Sequence, residues 1–508
     1  MHFKLAVACF VVNLCYANDS KEYKYFPLVQ DRAFIGGEWV EADSKLTFSV
    51  FNPCNMSEIA AVPDMDVKDV TEAIVAANAV FGNWSRSPSQ ERAMLLRQWL
   101  ELLNQNAQEI AEVITLETGK PLAEAIAEVA YGNSFVDMFA AEATRIQGET
   151  LTSGDNSKQL VYLRQPIGVV AIITPFNFPY ALLLRKTAAA LAAGCCCVIK
   201  PAEDAPLSAL AAASTLQQAG FPKGVYNVVT SSKSNSAAVG KVLCSHPSVA
   251  GLSFTGSTEV GKCLYGQCAT GVKRVNLELG GDCPFIVFPS ADLDHSVSCA
   301  LYTKFRNCGQ ACVSPNKFLV HINFFDKFVE QLAWKMKYEL NMGSGYAPLT
   351  NIGPLINSDQ LDKVKRLVDD AVSKGAKVHV GGGPASYMGP LFYEPTLLTN
   401  VKPGSAMLSE EIFGPVVVVM PFTTEEEALK LAHNTSYGLA AYMFTQDIQQ
   451  AWRVAKALDV GMVGVNDPVL STAQVAFGGL RQSGLGREGS HLGIQEFTFV
   501  KTICFGNC

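Results

Sequence analysis

Residues 168–281 alternate short apolar runs with longer amphipathic segments, and this alternation restricts the fold more than any other feature of the chain. Three runs predict buried strands: GVVAIIT (168–174), CCVIK (196–200) and VYNVV (225–229). The segments 180–193 and 206–219 between them predict helices, and each is followed directly by a glycine. Strands and helices that alternate at this spacing form a mostly parallel, doubly wound α/β sheet. Ligands bind such sheets at the carboxyl ends of the strands, so we expect functional residues there.

Length, charge and cysteine usage narrow the class of protein. A chain of 508 residues exceeds one hydrophobic core, which predicts at least two domains. The formal net charge of -7 comes without any block of Lys and Arg, which argues against a nucleic-acid partner. The 15 cysteines form no CxxC pair and the 7 histidines form no cluster, so we predict no metal site. Free thiols in such number are typical of a reducing compartment.

The N-terminus points to a different compartment. Leu5 to Ala17 (LAVACFVVNLCYA) follows a lysine and ends in small residues, and it resembles the apolar region of a secretory signal with cleavage after Ala17. This run is too short to span a membrane. We assign residues 1–25 to a targeting segment outside the fold, and the sequence leaves the compartment open.

A candidate nucleophile lies in KFRNCGQACVSPNKFLV (304–320). Cys312 is placed where a polar loop enters an apolar run, so a strand would hold its thiol rigidly beside a pocket. Arg306 lies six residues upstream on the same loop. The alternative is that Cys308 and Cys312 are two small core residues.

A glycine-containing turn offers a candidate phosphate site. In LSFTGSTEVG (252–261) a predicted strand passes into a helix through Gly256, Ser257 and Gly261. Free N–H groups and the positive end of a helix dipole attract phosphate, although the spacing differs from G-x-G-x-x-G. Lys200 ends another predicted strand, where it is either a ligand-binding group or a solvated strand boundary.

Two acidic residues and one terminal segment complete the candidates. Glu278 in VNLELGG (275–281) is either a partly buried acid–base group or the polar face of a strand, and periodicity does not choose between them. Glu411 precedes the strand-like run of EEIFGPVVVV (410–419). The segment EFTFVKTICF near the C-terminus predicts a strand that either joins another subunit's sheet or remains a simple edge.

Taken together, these segments resemble the aldehyde dehydrogenase superfamily, over about residues 30–505. The matching motifs occur in the family's order and spacing: TPFNFP (174–179), VIKPAE (198–203), FTGSTEVG (254–261), LELGG (277–281), GQAC (309–312) and EEIFGPV (410–416). The resemblance implies a Rossmann-type cofactor domain, an α/β catalytic domain and a β oligomerisation arm.

The resemblance also implies a reaction and its catalytic residues. Family members oxidise an aldehyde to an acid. The thiolate of Cys312 would attack the carbonyl and form a thiohemiacetal, whose oxyanion the Asn177 amide and the Cys312 N–H would stabilise. Hydride transfer would leave a thioester, and Glu278 would act as the general base for its hydrolysis.

Cofactor positions follow from the same resemblance. Lys200 and Glu203 would hold the adenosine ribose, Gly256, Ser257 and Gly261 would lie near the pyrophosphate, and Glu411 and Phe413 would position the nicotinamide ribose and ring. A carboxylate at Glu203 accepts ribose hydroxyl groups and repels a 2′-phosphate. We therefore expect NAD as cofactor, with NADP as the alternative because Lys200 would offset the repulsion.

Within the superfamily, GGLRQSGLGREGS (478–490), RKTAAALAAG (185–194) and KFRNCGQAC (304–312) resemble the succinate-semialdehyde dehydrogenase subgroup. That subgroup's substrate-carboxylate anchors fall on Arg185, Arg306 and Ser471, and the alternative for both arginines is a structural salt bridge.

The chain departs from the subgroup at Ser314, where the subgroup often has a second cysteine, and Cys308 is an additional thiol. Other readings are oxidation of glutarate semialdehyde, a broader aldehyde specificity, and a non-catalytic binding protein that reuses the fold.

The resemblance divides the chain as follows. An NAD-binding domain would comprise residues 30–150 and 170–281, and a catalytic domain residues 282–480. Residues 151–169 and 481–508 would form the oligomerisation arm and tail, which implies a homodimer or homotetramer. The family and the free cysteines favour cytoplasm or mitochondrion, with a small semialdehyde as substrate and no nucleic-acid or membrane partner.

Overall fold

The computed structural model describes residues 26–506, which form two large sheets and two small ones together with helices. The targeting segment predicted at residues 1–25 lies outside the described residues. The strands are β1 (Ala33–Ile35), β2 (Glu38–Val40), β3 (Thr47–Phe51), β4 (Glu58–Pro63), β5 (Glu149–Leu151), β6 (Lys158–Pro166), β7 (Val169–Ile173), β8 (Cys196–Lys200), β9 (Tyr226–Val228), β10 (Val249–Thr255), β11 (Arg274–Glu278), β12 (Cys283–Val287), β13 (Pro315–His321), β14 (Lys377–Val380), β15 (Thr396–Thr399), β16 (Val416–Phe422), β17 (Ala440–Phe444), β18 (Met462–Val465), β19 (Gly484–Leu485) and β20 (Thr498–Gly506).

The helices alternate with these strands through most of the chain. They are α1 (Val67–Trp84), α2 (Ser89–Gln105), α3 (Ala107–Thr118), α4 (Leu122–Glu142), α5 (Ala181–Ala193), α6 (Leu207–Gln218), α7 (Lys233–Ser245), α8 (Thr258–Ala269), α9 (Leu293–Phe305), α10 (Ile322–Glu339), α11 (Ser358–Ser373), α12 (Glu425–His433), α13 (Ile448–Ala457) and the single turn α14 (Ser490–Gly493). Among residues 26–506, none of these helices is both long enough and apolar enough to cross a bilayer.

The first sheet has eight strands in the order β19-β11-β10-β7-β8-β9-β1-β2. Its five central strands, from β11 to β9, are parallel, as the alternation of strand and helix requires. Helix α5 packs behind this sheet with all of its residues buried, including two adjacent cations, Arg185 and Lys186. Because the strands are parallel, the segments that follow β7, β8, β10 and β11 emerge along the same edge.

The second sheet has seven strands in the order β14-β15-β16-β13-β12-β17-β18, and only β14 runs antiparallel. Its core is separate from that of the first sheet and includes Phe285, Phe318 and Tyr442. The loop that contains Cys312 leads directly into β13, at the centre of this sheet. The nucleophile candidate is therefore held at the boundary between two independently packed cores. The predicted α/β fold class is confirmed.

The third sheet is a small antiparallel one, in the order β20-β6-β5. Two of its strands, β6 and β20, lie within the two segments that the sequence assigned to an arm. The stretch 481–497 differs from that assignment, because β19 pairs with β11 of the first sheet. Ile494 and Phe497 likewise pack in the first core. A glycine-rich sequence resembles a loop, and nothing in it announces the two-residue pairing of β19.

Candidate active site

A strained turn presents Cys312. After α9 the chain forms a 3₁₀ turn, Arg306–Gly309, in which Asn307 and Cys308 have φ angles of 52° and 55°. Gly309 continues in the left-handed region, and a Cβ there would lie 2.2 Å from the Gly414 carbonyl oxygen. Three left-handed residues in succession reverse the chain, at a cost of about 1–3 kcal/mol for each non-glycine residue. Cys312 then occupies a tight turn immediately before β13 and is partly exposed.

Asn177 lies against this turn and is fixed to it from both sides. Its side-chain Nδ2 donates to the Gln310 carbonyl at 3.0 Å, while its own carbonyl accepts from Asn307 Nδ2 at 2.9 Å. Lys120 Nζ also donates to the Asn177 carbonyl at 2.6 Å and pairs with Glu128 at 2.5 Å, and both charged side chains are fully buried. One hydrogen of the Asn177 amide remains for a ligand beside Cys312.

Glu278 is the last residue of β11 and is only 1% exposed. Neither of its carboxyl oxygens has a hydrogen-bond partner among the described residues. Burial and the nearby charge of Glu488 raise the pKa of Glu278 well above its ordinary value. A buried carboxyl group without partners is costly, and such groups concentrate at functional sites.

Two charged residues near Glu278, Lys186 and Glu488, were not predicted from the sequence. Glu488 accepts from Lys186 Nζ and lies 2.6 Å from Arg185 Nε. Although burial acts in the opposite direction, Lys186 and Arg185 lower the pKa of Glu488. The sequence does contain one indication of this charge cluster, the adjacent Arg185 and Lys186 in the otherwise apolar segment that forms α5. Two cations buried in one helix require an anion, and the sequence could not show which acidic residue supplies it.

The surroundings of Cys312 favour the protonated form of its thiol. Burial raises the pKa of Cys312 to about 12, the charge of Arg185 acts against this shift, and Glu278 and Glu411 reinforce it. Cys308 and Cys312 are both free thiols. Burial also raises the pKa of Cys308 above its ordinary range. Of these two cysteines, Cys312 alone is partly exposed.

The segments predicted to hold the phosphates of a dinucleotide have the required shape. Ser257 caps α8, with its Oγ accepting from the Val260 N–H at 3.4 Å. A Cβ at Gly256 would lie 2.4 Å from the Phe254 ring, and one at Gly261 would lie 2.3 Å from Leu279 Cδ2. Glycine at these positions therefore lets α8 pack closely on the sheet and leaves its N-terminus open to an anion.

The other cofactor candidates come from both large sheets: Lys200 ends β8 of the first, and Glu411 and Phe413 precede β16 of the second. Lys200 is buried, with its Nζ 3.1 Å from the Pro201 carbonyl and 3.6 Å from Glu203. Glu411 accepts the Gly281 N–H at 2.9 Å, and burial raises the pKa of Glu411 to about 7. Phe413 has a φ of 55°, and its ring meets that of Phe176 edge to face, 6.0 Å between centroids. This set of hydroxyl-binding, anion-binding and aromatic groups fits a dinucleotide.

A cavity of about 450 Å³ contains two of the three predicted carboxylate anchors. Arg306 contributes its guanidinium, which lies 4.8 Å from the centre of the Phe178 ring. Ser471 contributes a hydroxyl group that is hydrogen-bonded to Tyr131. Arg185 does not line this cavity, because its Nε faces Glu488. The cavity walls are formed by Ala123, Glu124, Ala127, Glu128, Tyr131, Phe178, Ser298, Leu301, Tyr302, Phe305, Arg306, Leu340, Asn351 and Ser471.

Comparison with known proteins agrees with this geometry. A model of the aldehyde dehydrogenase family matches residues 39–503. A mitochondrial succinate-semialdehyde dehydrogenase of Mus musculus is 47% identical over 94% of this chain and 91% of its own length. A 3-sulfolactaldehyde dehydrogenase of Pseudomonas putida is 44% identical over 96% of this chain and 99% of its own length.

Among solved structures, a succinate-semialdehyde dehydrogenase from Burkholderia pseudomallei is 46% identical. It superimposes with a TM-score of 0.92 and covers 94% of this chain and 98% of its own. The predicted family resemblance and enzyme class are thereby confirmed, and the reading as a non-catalytic binding protein is not supported. The chain belongs to the aldehyde dehydrogenase family of NAD(P)-dependent enzymes.

Proposed function

We propose that the chain oxidises succinate semialdehyde to succinate. The observation that supports this substrate is the cavity in which Arg306 and Ser471 lie together, with Phe178, the residue after Asn177, in its wall. No carboxylate of the described residues lies within 4.0 Å of Arg306. Its guanidinium is hydrogen-bonded to Tyr302 and lies over the Phe178 ring, which leaves its other N–H groups for a carboxylate ligand. The relatives named succinate-semialdehyde dehydrogenase support the same proposal.

The role of Arg185 changes within this proposal. Its Nε is taken up by Glu488, and its guanidinium carbon lies 4.3 Å from the centre of the Phe477 ring. We infer that Arg185 contributes chiefly positive potential at Cys312, whose pKa it lowers. Arg306 and Ser471 then remain as the direct anchors of the substrate carboxylate.

Chemistry would begin at Cys312. The thiol first loses its proton to solvent, which reaches the partly exposed side chain. Its sulfur then forms a bond to the aldehyde carbon, and the carbonyl electron pair moves onto oxygen. The Asn177 amide and the Cys312 main-chain N–H would hold that oxyanion, each such donor being worth on the order of 3 kcal/mol. NAD(P)⁺, when bound at Ser257, Lys200 and Glu411, supplies the hydride acceptor.

The second half-reaction frees Cys312 from its thioester. Glu278 would take a proton from the attacking water, and the acid would leave as the thiol is restored. In the arrangement seen here Glu278 is buried and its raised pKa keeps the carboxyl group protonated. The carboxyl group must therefore ionise, with a change in its surroundings, before it acts as a base.

We propose NAD rather than NADP as the preferred cofactor. Glu203 lies in the loop that follows β8. Its side chain is 31% exposed, and its carboxylate lies 3.6 Å from Lys200 Nζ. A carboxylate in that position accepts ribose hydroxyl groups and repels a 2′-phosphate. We expect a higher kcat/KM with NAD, and Glu203→Ala should shift the ratio towards NADP. A higher kcat/KM for NADP in the unmodified enzyme would contradict this assignment.

We also propose a homodimer or homotetramer that assembles through the β20-β6-β5 sheet. Leu163, Phe499, Val500 and Phe505 expose between 38% and 49% of their surface on this sheet. Apolar strands left open in this way tend to pair with another chain. Light scattering should give the mass of two or four chains, and removal of residues 498–508 should give a monomer.

The experiment that tests the substrate follows NADH formation with succinate semialdehyde, its methyl ester and butanal. The ester removes the charge of the substrate and adds one methyl group, and butanal keeps the four-carbon chain without a carboxyl group. We expect Arg306→Ala to lower kcat/KM for the acid by about 30- to 800-fold, since losing a desolvated charge pair costs about 2–4 kcal/mol. Rates on the two neutral aldehydes should change little. Equal activity of the unmodified enzyme on all three compounds would refute the substrate assignment but leave the family unchanged.

A further inference from the structure

The cavity that contains Arg306 also contains a carboxyl group that the proposed reaction does not use. Glu124 lies on the first turn of α4 and lines this cavity. Its Oε2 accepts the N–H of Asn307 at 2.8 Å, and Asn307 is the residue next to Arg306. The carboxyl group of Glu124 is thereby held on the same turn as the predicted anchor. No contact ion pair joins the two side chains, since the N–O distances exceed 4.0 Å within the described part of the chain.

The charged and titratable groups around Glu124 come from three elements. Lys120 precedes α4, and Glu128 and Tyr131 lie on it. Arg306 and Cys308 belong to the turn that supports the nucleophile, and Tyr302 comes from α9. Lys120 is paired with Glu128, yet its charge acts on Glu124 more strongly than that of Arg306, and Glu128 acts weakly in the opposite direction. Arg306 is the cation on the cavity wall that acts on Glu124.

We propose that Glu124 is a specificity-determining residue whose charge opposes that of the substrate carboxylate at Arg306. The inference rests on the proposed function. When Glu124 is ionised, the field at Arg306 is partly cancelled and an anionic substrate is held less tightly. When Glu124 carries a proton, Arg306 presents its full charge to the substrate. Binding of the anion and protonation of Glu124 therefore favour each other, as linkage requires.

This coupling falls in the physiological range. Burial raises the pKa of Glu124 to about 7, while Lys120, the Asn307 N–H and Arg306 act against the shift. Glu124 is therefore neutral below that pH and charged above it. Affinity for an anionic aldehyde is predicted to fall as pH rises through about 7, whereas affinity for a neutral aldehyde of the same length is not.

The test compares kcat/KM for succinate semialdehyde with that for its methyl ester between pH 6 and pH 9. Titration of Cys312, Glu278 or Glu411 acts on both aldehydes and cancels in the ratio. The acid-to-ester ratio of the unmodified enzyme should fall about fivefold across this range, as expected for a coupling of about 1 kcal/mol. In Glu124→Gln, which retains an acceptor for the Asn307 N–H, the ratio should be flat and should stay at its low-pH value. Glu330→Gln, an exposed change on α10, is the matched control and should behave as the unmodified enzyme does.

Each outcome has a distinct meaning. A ratio that is constant with pH in the unmodified enzyme, with the acid still preferred, overturns the role of Glu124 and leaves the proposed function intact. A pH-dependent ratio that persists in Glu124→Gln also overturns it. If Glu124→Gln lowers kcat equally for both aldehydes and leaves the pH dependence in place, Glu124 only supports the turn. No preference for the acid at any pH would instead refute the proposed function.

Discussion

Replacing Glu278 with glutamine should separate the two halves of the reaction. The carboxyl group is 1% exposed, neither oxygen has a hydrogen-bond partner among residues 26–506, and its pKa is raised by burial and by Glu488. Glutamine has the same shape but cannot accept a proton from water. The first half-reaction, which needs Cys312 and Asn177, does not require that base.

The expected loss of turnover rate in Glu278→Gln follows from the usual contribution of a general base. General-base catalysis typically supplies about 10²–10⁴ in rate, so steady-state turnover of Glu278→Gln should fall by that factor. Formation of the first NADH should persist, and rapid mixing should show a burst of one NADH per subunit followed by slow turnover. Mass spectrometry of the quenched enzyme should find the acyl group on Cys312. Glu330→Gln, an exposed change on α10, is a control for the loss of one carboxylate.

The pH dependence of folding stability gives an independent test of the raised pKa of Glu278. Because the folded pKa of Glu278 lies above its unfolded value, the folded state loses stability as pH rises from the unfolded pKa towards the folded one. Glutamine does not ionise, so it removes that pH-dependent loss, although its amide is left without the hydrogen-bond partners that the carboxyl group also lacks. Glu278→Gln should therefore unfold at a higher temperature than the unmodified enzyme at pH 8, with a smaller difference at pH 5. A variant that shows no burst, or that turns over at the normal rate, would refute the assignment of Glu278 as the base.

Two further substitutions, at Asn177 and Lys120, test the residues that hold the turn of Cys312 in place. Asn177→Ala should lower kcat by about 10²–10³ through loss of one oxyanion donor, and an unchanged kcat measured by NADH formation would contradict that role. Lys120→Met should destabilise the fold by about 3–5 kcal/mol, because Glu128 is left as an unpaired buried charge. Chemical denaturation followed by fluorescence measures this loss, and Lys120→Met/Glu128→Gln should recover most of it. Failure of the double variant to recover would show that Lys120 acts mainly through the Asn177 carbonyl.

The sequence predicted the central fold well because its signals were local. GVVAIIT, CCVIK and VYNVV all form strands within one or two residues of the predicted limits, since β-branched runs between helices have few alternatives. The pairing of β19 with β11 was not predictable in this way. A pair of strands 206 residues apart, one of them two residues long, depends on packing that no local pattern contains.

The site shows the same division between local and distant information. The motifs identify Cys312, Asn177 and Glu278 as candidate site residues. They do not show that Arg185 faces Glu488 rather than the cavity. That outcome depends on a pairing between residues about 300 positions apart. A buried arginine takes the strongest acceptor within reach, and a sequence reveals the arginine without revealing the acceptor.

The charges behind Cys312 explain why a partnerless Glu278 is compatible with a stable fold. Arg185 and Lys186 both direct their charge to Glu488, whose pKa they lower. Glu278 therefore lies near a second carboxylate, Glu488, whose two cationic partners are already paired with it. Burial and this carboxylate raise the pKa of Glu278, which favours its protonated form. A permanently ionised base near Cys312 would further oppose formation of the thiolate, since each nearby anion raises the pKa of the thiol. In the proposed mechanism, a Glu278 that stays neutral until the thioester has formed would let one pocket hold first a nucleophile and then a base.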